Sequence, residues 1–282
     1  MKNDLRYCKI LNTNINVTNM KKTVDYLTDH LEELRGDYIC VSNVHTTMMS
    51  FRNKDYNRVQ NSCAMALPDG KPLSIVCKAR GFYDADRVPG PDLMPEMFKI
   101  SKEKGYRHYF YGSSQETLKK LREELNRNYP WLNIAGMYSP PYRALTQAEE
   151  ERIIREINDS KPDFIWVALG APKQEEWMYR HRFQVRGVMI GVGAAFDFCA
   201  GTVRRAPAWM QELCLEWLYR LMQDPQRLFS RYFSTNISFL FKVAKENHEY
   251  KRENKDKKIA MIGHKRIPSR EGCLLYTSPS PR

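Results

Sequence analysis

No stretch of the 282 residues approaches the roughly 18–20 uninterrupted apolar positions of a membrane-spanning helix, so the chain is not expected to cross a bilayer. The N-terminal run MKNDLRYCKILNTNINV has charges spaced through it and lacks the apolar core of a secretory signal. Cysteine occurs seven times, an odd number without a single C-x-x-C pair. That pattern argues against a paired disulfide framework and offers no zinc site, leaving buried thiols in a reducing cytosol as the expectation. Six scattered histidines without H-E-x-x-H add nothing toward a metal. A G-x-x-x-x-G-K-[ST] phosphate loop is also missing, so ATP-driven chemistry of that kind has no support. Fourteen Gly and 15 Pro are ordinary numbers, which excludes collagen-like and low-complexity chains. No internal repeat is visible.

What is present is positive charge, unevenly placed. Lys and Arg outnumber Asp and Glu by 45 to 33, a net +12. Residues 204–282 hold 16 basic and 8 acidic side chains, so +8 of the +12 falls there. A basic segment implies an anionic partner: nucleic acid, a phosphorylated substrate or an anionic membrane surface.

Between residues 36 and 200, β-rich runs alternate with helical patterns. Strands are predicted at 37–43, 64–70, 107–112, 133–139, 163–170 and 187–193. The last two, DFIWVALG and GVMIGVG, are nearly continuous apolar runs, as parallel strands buried on both faces require. Ser113-Ser114 offer N-caps for a helix with Leu118, Leu121 and Leu125 on one face, and Thr146-x-x-Glu149 is a capping box ahead of Ile153, Ile154 and Ile157. This alternation predicts an α/β fold, a doubly wound, mostly parallel Rossmann-like sheet. Past Gly201 the pattern turns helical, aromatic and basic, with a helix break expected at Asp224-Pro225. The expected organisation is an α/β body at 1–203, a helical appendage at 204–250 and a charged tail at 251–282. Its last residues, 272–282, look like translated read-through. Truncation after about Ala206 is expected to leave a folded body.

Ligands of open α/β sheets bind beyond the carboxyl ends of the strands, so the strand exits are where chemistry is expected. Several pair a glycine with a polar residue at a helix start, which suits a phosphate: Gly112-Ser113, Gly170 with Lys173, and Gly193. Gly191-x-Gly193 lacks the third glycine of a dinucleotide fingerprint, with Phe196 in its place, and reads better as turn glycine. Asp69, in a Pro-Asp-Gly turn after an apolar strand, is either a general base in a partly dry cleft or an ordinary turn aspartate. Asp84-x-Asp86 is either a divalent-cation pair or solvated loop, the latter favoured. Gln174 is either a sugar or phosphate ligand or part of a solvated first helical turn running from Lys173 to Glu176. Arg87, Arg204, Arg205, Arg220, Arg227 and Arg231 are candidates for gripping phosphate bidentately, and the spacing of 220, 227 and 231 puts three on one helical face if the helix continues through them. His45 and His181 lack a visible partner and read as structural.

Five co-linear segments carry a resemblance over about residues 5–245: LPDG, DRVPGPDLM, VALGAPKQEEW, GVGAAFDFCAGTVRRAP, and LEWLYRL followed by DPQR. Together they resemble the bacterial WecG/TagA/CpsF glycosyltransferases. The resemblance implies an inverting, metal-independent enzyme with no cofactor. It would move N-acetylmannosamine or its uronate from a UDP-sugar to a polyprenyl-diphosphate-linked saccharide, for teichoic acid, common antigen, capsule or exopolysaccharide. It further implies a cytoplasmic protein, peripheral on the inner membrane face, whose appendage binds the membrane and completes the site. By the same resemblance Asp69 is the general base, with Asn43, Arg87 and Gln174 beside it. Asp197 falls near the nucleotide, and Arg220, Arg227 and Arg231 stabilise the diphosphate. Two departures stand out: Val41 replaces a threonine, and Arg231 follows Arg227 by four residues where the family pattern has three. Two rivals are a nucleic-acid-binding α/β protein, which lacks a recognised motif, and an NAD-dependent oxidoreductase, which lacks the third glycine. The clustered aromatics of the appendage would equally suit a homo-oligomer contact.

Overall fold

The computed structural model describes residues 5–223, 225, 235–250 and 252. Two four-residue strands open the chain. β1 (Tyr7–Ile10) and β2 (Thr13–Asn16) form an antiparallel hairpin that the sequence reading did not name. The six predicted strands all form: β3 (Tyr38–Ser42), β4 (Met65–Pro68), β5 (Arg107–Gly112), β6 (Asn133–Tyr138), β7 (Phe164–Ala168) and β8 (Val188–Gly191). They make one sheet in the order β4-β3-β8-β7-β5-β6, and every neighbouring pair runs parallel. The hairpin closes one edge, where the Ala66 amide donates to Asn16 Oδ1 at 2.7 Å.

Helices cover both faces, and the residue period of two divides the core accordingly. Ile165 and Val167 of β7 point into one cluster with Tyr38 and Cys40, whereas Phe164, Trp166 and Ala168 point into the other with Ile39 and Val41. This explains why the central strands read as unbroken apolar runs. The expected caps are in place. Ser114 accepts the Thr117 amide ahead of helix Gln115–Asn128, and Thr146 and Glu149 form both bonds of the capping box ahead of helix Gln147–Asp159. Cys8, Cys40, Cys63 and Cys77 are buried.

The chain leaves β3 toward β4 on one side of the sheet and β5 toward β6 on the other. Such divergence opens a crevice at the carboxyl ends of the strands. Helices Ala195–Cys199, Ala208–Glu212 and Glu216–Gln223 follow the last strand, and residues 235–250 are again helical. The expected break at Asp224 lies outside the described residues. By its contacts the chain falls into two compact units, Met1–Val243 and Ala244–Arg282. In the second, residues 244–250 and 252 are helical. In the first, Phe239 and Val243 are buried in the same core cluster as Tyr38 and Met48. Truncation after Ala206 therefore strips side chains from the core, at about 1.5–3 kcal/mol for each large one, and does not simply detach an appendage.

Gly112 closes β5 at φ +114°, and a Cβ there would lie 2.5 Å from the Ala168 carbonyl oxygen on the neighbouring strand. The glycine is thus demanded by sheet geometry. Gly112→Ala should cost about 3 kcal/mol or more, read as a lowered urea midpoint. A midpoint like that of the parent would contradict this packing argument.

Candidate active site

β3 and β4 run side by side to their ends, with Ser42 opposite Pro68, and the next residues on each are Asn43 and Asp69. The Asp69 amide donates to the Ser42 carbonyl at 2.8 Å, extending the ladder one step and fixing both side chains at the sheet's carboxyl edge. Asn43 is the N-cap of helix Val44–Arg52: its Oδ1 accepts from the amides of His45 and Thr46, and Thr46 Oγ1 accepts from the Asn43 amide in return. Capping consumes the side-chain oxygen. The Nδ2 group is left to face Asp69 Oδ2 at 3.5 Å.

Both residues line a cavity of about 320 Å³. Its floor carries His45, Lys71 and Arg87 as well. Its opposite wall comes from the chain's last third: Gln211, Glu216, Trp217, Arg220, Phe239 and Leu240. Asp69 is half-buried, and desolvation is the chief cause that lifts its carboxyl to about 7. Glu216 adds to the rise, while Asn43, Arg220 and Arg205 oppose it. A carboxyl poised near neutrality can accept a proton at physiological pH, which an ordinary turn aspartate does poorly.

Arg87 is held from across the cavity. Its Nη2 donates to Gln211 Oε1 at 2.9 Å, and its Nη1 stands 3.9 Å from Glu216 Oε2. The Arg220 guanidinium stacks 5.3 Å from the ring centroid of Phe198. Arg205 instead makes a two-pronged ion pair with Asp92. Arg227 and Arg231 lie outside the described residues.

The other named exits gather one step along the sheet. Ser113 (φ +60°) and Lys173 line a second cavity of about 550 Å³ with Arg143, Arg180 and Trp177, beyond β5 and β7. Gly170 (φ +76°) has open space where a Cβ would stand, so its conformation is what calls for glycine. Asp197 accepts from Thr117 Oγ1 at 3.4 Å, tying helix Ala195–Cys199 to the helix after β5. Gln174 is not part of a solvated turn. It is 4% exposed and packs against Gly191 and Gly193 at the end of β8, where a Cβ on Gly191 would stand 3.2 Å from its Nε2. Only Lys173 and Glu176 of that turn are exposed.

Asp84 and Asp86 do not pair. Asp84 accepts from Arg6 and Lys22, each at 2.7 Å, and Asp86 faces Lys71 and Lys78 at 3.9 Å. Among the described residues, no group of three His, Cys, Asp or Glu side chains stands close enough to hold a metal ion. His181 is buried against Trp177, and burial lowers its pKa.

The sequence reading took His45 as structural and Trp217 as a membrane-interface aromatic, and it did not single out Lys71, Gln211 or Glu216, all of which line the cavity. One signal was available for Glu216, which precedes Arg220 by four residues and so shares its helical face. Nothing in sequence joins Gln211 to Arg87, 124 positions away.

Comparison with known proteins bears on this arrangement. The N-acetylglucosaminyldiphosphoundecaprenol N-acetyl-beta-D-mannosaminyltransferase of Bacillus subtilis (strain 168) is 32% identical over 213 residues, covering 74% of this chain and 81% of that protein. The protein of the same name from Bacillus spizizenii is 33% identical over 202 residues, 71% of this chain and 76% of its own. That of Staphylococcus aureus (strain MW2) is 29% identical over 216 residues, 76% and 82%. The sequence model for the WecG/TagA/CpsF glycosyl transferase family matches residues 8–253, taking in both cavities and the wall that faces Asp69. With its parallel six-stranded sheet and that match, the chain belongs to the WecG/TagA/CpsF family of glycosyltransferases.

Proposed function

We propose that the chain transfers N-acetylmannosamine from UDP to N-acetylglucosaminyl-diphosphate-polyprenol, inverting the anomeric centre, in the assembly of a cell-surface polymer. The names of the relatives support the sugar moved and its acceptor, and the UDP leaving group follows from the family resemblance. The observation that carries the mechanism is Asp69: a half-buried carboxyl raised to about 7 at the floor of a cavity walled by Arg87 and Arg220.

In this reading the Asp69 carboxylate takes the proton from the acceptor hydroxyl as that oxygen bonds to the anomeric carbon. The bond from the same carbon to the UDP oxygen breaks, and the proton stays on Asp69. One displacement gives one inversion. Negative charge grows on the departing diphosphate, where Arg220 and Arg87 act as fixed donors; the family pattern assigns Arg227 and Arg231 the same role. The uridine diphosphate lies across the ends of β5, β7 and β8, with Ser113 and Lys173 in the second cavity and Asp197 beside it. Arginine supplies the charge, so no metal or other cofactor is required.

The membrane-held acceptor is reached from the surface. No described helix is long and apolar enough to cross a bilayer. The segments that wall the cavity also expose Trp209, Leu213, Leu240 and Phe241, at 59%, 63%, 65% and 75%. Aromatic and basic residues together suit the interface of an anionic leaflet. In this reading the enzyme sits peripherally on the cytoplasmic face, and those exposed side chains support it.

The test is UDP release from a panel of UDP-sugars, with a polyprenyl-diphosphate-GlcNAc acceptor in detergent and EDTA present. Acceptor-dependent release from UDP-N-acetylmannosamine is the expected result. Release only after Mn²⁺ is restored would overturn the metal-free mechanism. Asp84→Asn and Asp86→Asn should leave the rate in EDTA unchanged, since both carboxylates are engaged by surface lysines and arginines. A loss restored by Mn²⁺ would count against that expectation.

A further inference from the structure

Directly after Gln174 lies a carboxyl to which this mechanism gives no part. Glu175 is 1% exposed, on the side of helix Lys173–Arg180 that packs toward the sheet. The groups facing it are Gln174 and Glu176 of its own helix, the Tyr56 hydroxyl from helix Lys54–Ser62, and Cys40 of β3. None is a cation. A buried carboxyl without a counter-charge costs stability, so its presence asks for a use.

The hydrogen bonding supplies one. Gln174 Nε2 donates to Glu175 Oε1 at 2.8 Å. A carboxylate only accepts, so it fixes which end of the neighbouring amide faces it. The amide's other end, Oε1, is buried and has no hydrogen-bond partner among the described residues. It stands 3.5 Å from where a Cβ on Gly193 would be, at the exit of β8 between the two cavities. A buried carbonyl oxygen aimed at a glycine-lined exit is an acceptor waiting for a donor.

We propose that Glu175 is a positioning residue: by holding the Gln174 amide nitrogen, it presents the amide oxygen at the β8 exit to a hydroxyl or N–H of the donor sugar. The assignment rests on the UDP-sugar reading above and deepens it. A protonated Glu175 could donate to that oxygen and turn the amide, so the site recognises the sugar only while Glu175 is ionised. Burial lifts this carboxyl to about 7, with Gln174 and Tyr56 opposing. Ionisation is therefore largely complete at pH 8.5 and about one-tenth at pH 6.

The experiment is calorimetric binding of UDP-N-acetylmannosamine and of UDP to the full chain carrying Asp69→Asn, which removes the other carboxyl that titrates near 7. Sugar-nucleotide affinity should fall about tenfold from pH 8.5 to pH 6, following the competent fraction. Glu175→Gln keeps an acceptor without a titration, so binding should persist with no pH dependence over that range. Glu175→Met removes the acceptor at similar volume, and should weaken UDP-N-acetylmannosamine about tenfold while leaving UDP unchanged. A pH dependence that survives Glu175→Gln would assign the titration elsewhere and overturn the proposal. Equal weakening of UDP and UDP-sugar in Glu175→Met would reduce the residue to packing and overturn it too. If Glu175→Met does not fold, the pH comparison with Glu175→Gln decides alone. Absence of UDP-sugar binding before any change at 175 would overturn the donor reading itself and this assignment with it.

Discussion

Asp69→Asn should slow sugar transfer by about 10²–10⁴-fold while UDP binds as before, because the amide keeps the shape and loses the base. The pH profile carries the same argument. Asp69 must be ionised to accept a proton, and its carboxyl is raised to about 7, so kcat at saturating donor should fall about tenfold per unit as pH drops below that value. Asp69→Asn should abolish that limb of kcat together with the rate. Stability moves the opposite way. A carboxyl raised on folding contributes stability that is fully present below its ordinary range, near 4, and is lost as pH rises through about 7. Asp69→Asn should therefore raise Tm relative to the parent at pH 8 and have little effect at pH 4. A variant that loses both activity and Tm at pH 8 would show that Asp69 serves the fold.

Arg220→Ala should lower kcat by about 10²–10³-fold, the usual loss when a fixed donor to developing charge is removed. Lysine at 220 should recover only part of it, since a point charge does not reproduce the two-pronged grip of a guanidinium. A second readout separates this role from a packing role. Arg220 is one of the charges that restrain the Asp69 pKa, so Arg220→Ala should move the acid limb of the residual activity toward higher pH. An unmoved limb with unchanged kcat would place Arg220 outside the reaction. Point variants answer this better than truncation, because Phe239 and Val243 leave the core with the segment that carries Arg220.

The sheet was legible because its strands are buried on both faces: DFIWVALG and GVMIGVG offer no other use for so many consecutive apolar residues. The β1–β2 hairpin was not, since four residues per strand hold too few alternations to stand out. Within the site, Asn43 and Asp69 were legible as strand exits, and their adjacency follows once β3 and β4 pair. The first turn after Pro172 left two readings of Gln174 open. Lys-Gln-Glu-Glu looks solvated by composition, yet Gln174 and Glu175 are buried because Tyr56 and the glycines of β8 close over them. Local chemistry cannot announce a contact made from 120 residues away. The same holds for Arg87, whose orientation is set by Gln211.

That clasp has a thermodynamic corollary. Arg87 and Asp69 belong to the first third of the chain, while Gln211, Glu216 and Arg220 reach them from the last. A sugar nucleotide bridging the two sides favours their closed arrangement, and by reciprocity the closed arrangement favours the nucleotide by the same factor. Occupancy and attachment are thus one equilibrium seen from two ends. A protease that cuts the 208–223 segment should be slowed by donor in proportion to how tightly that donor is held.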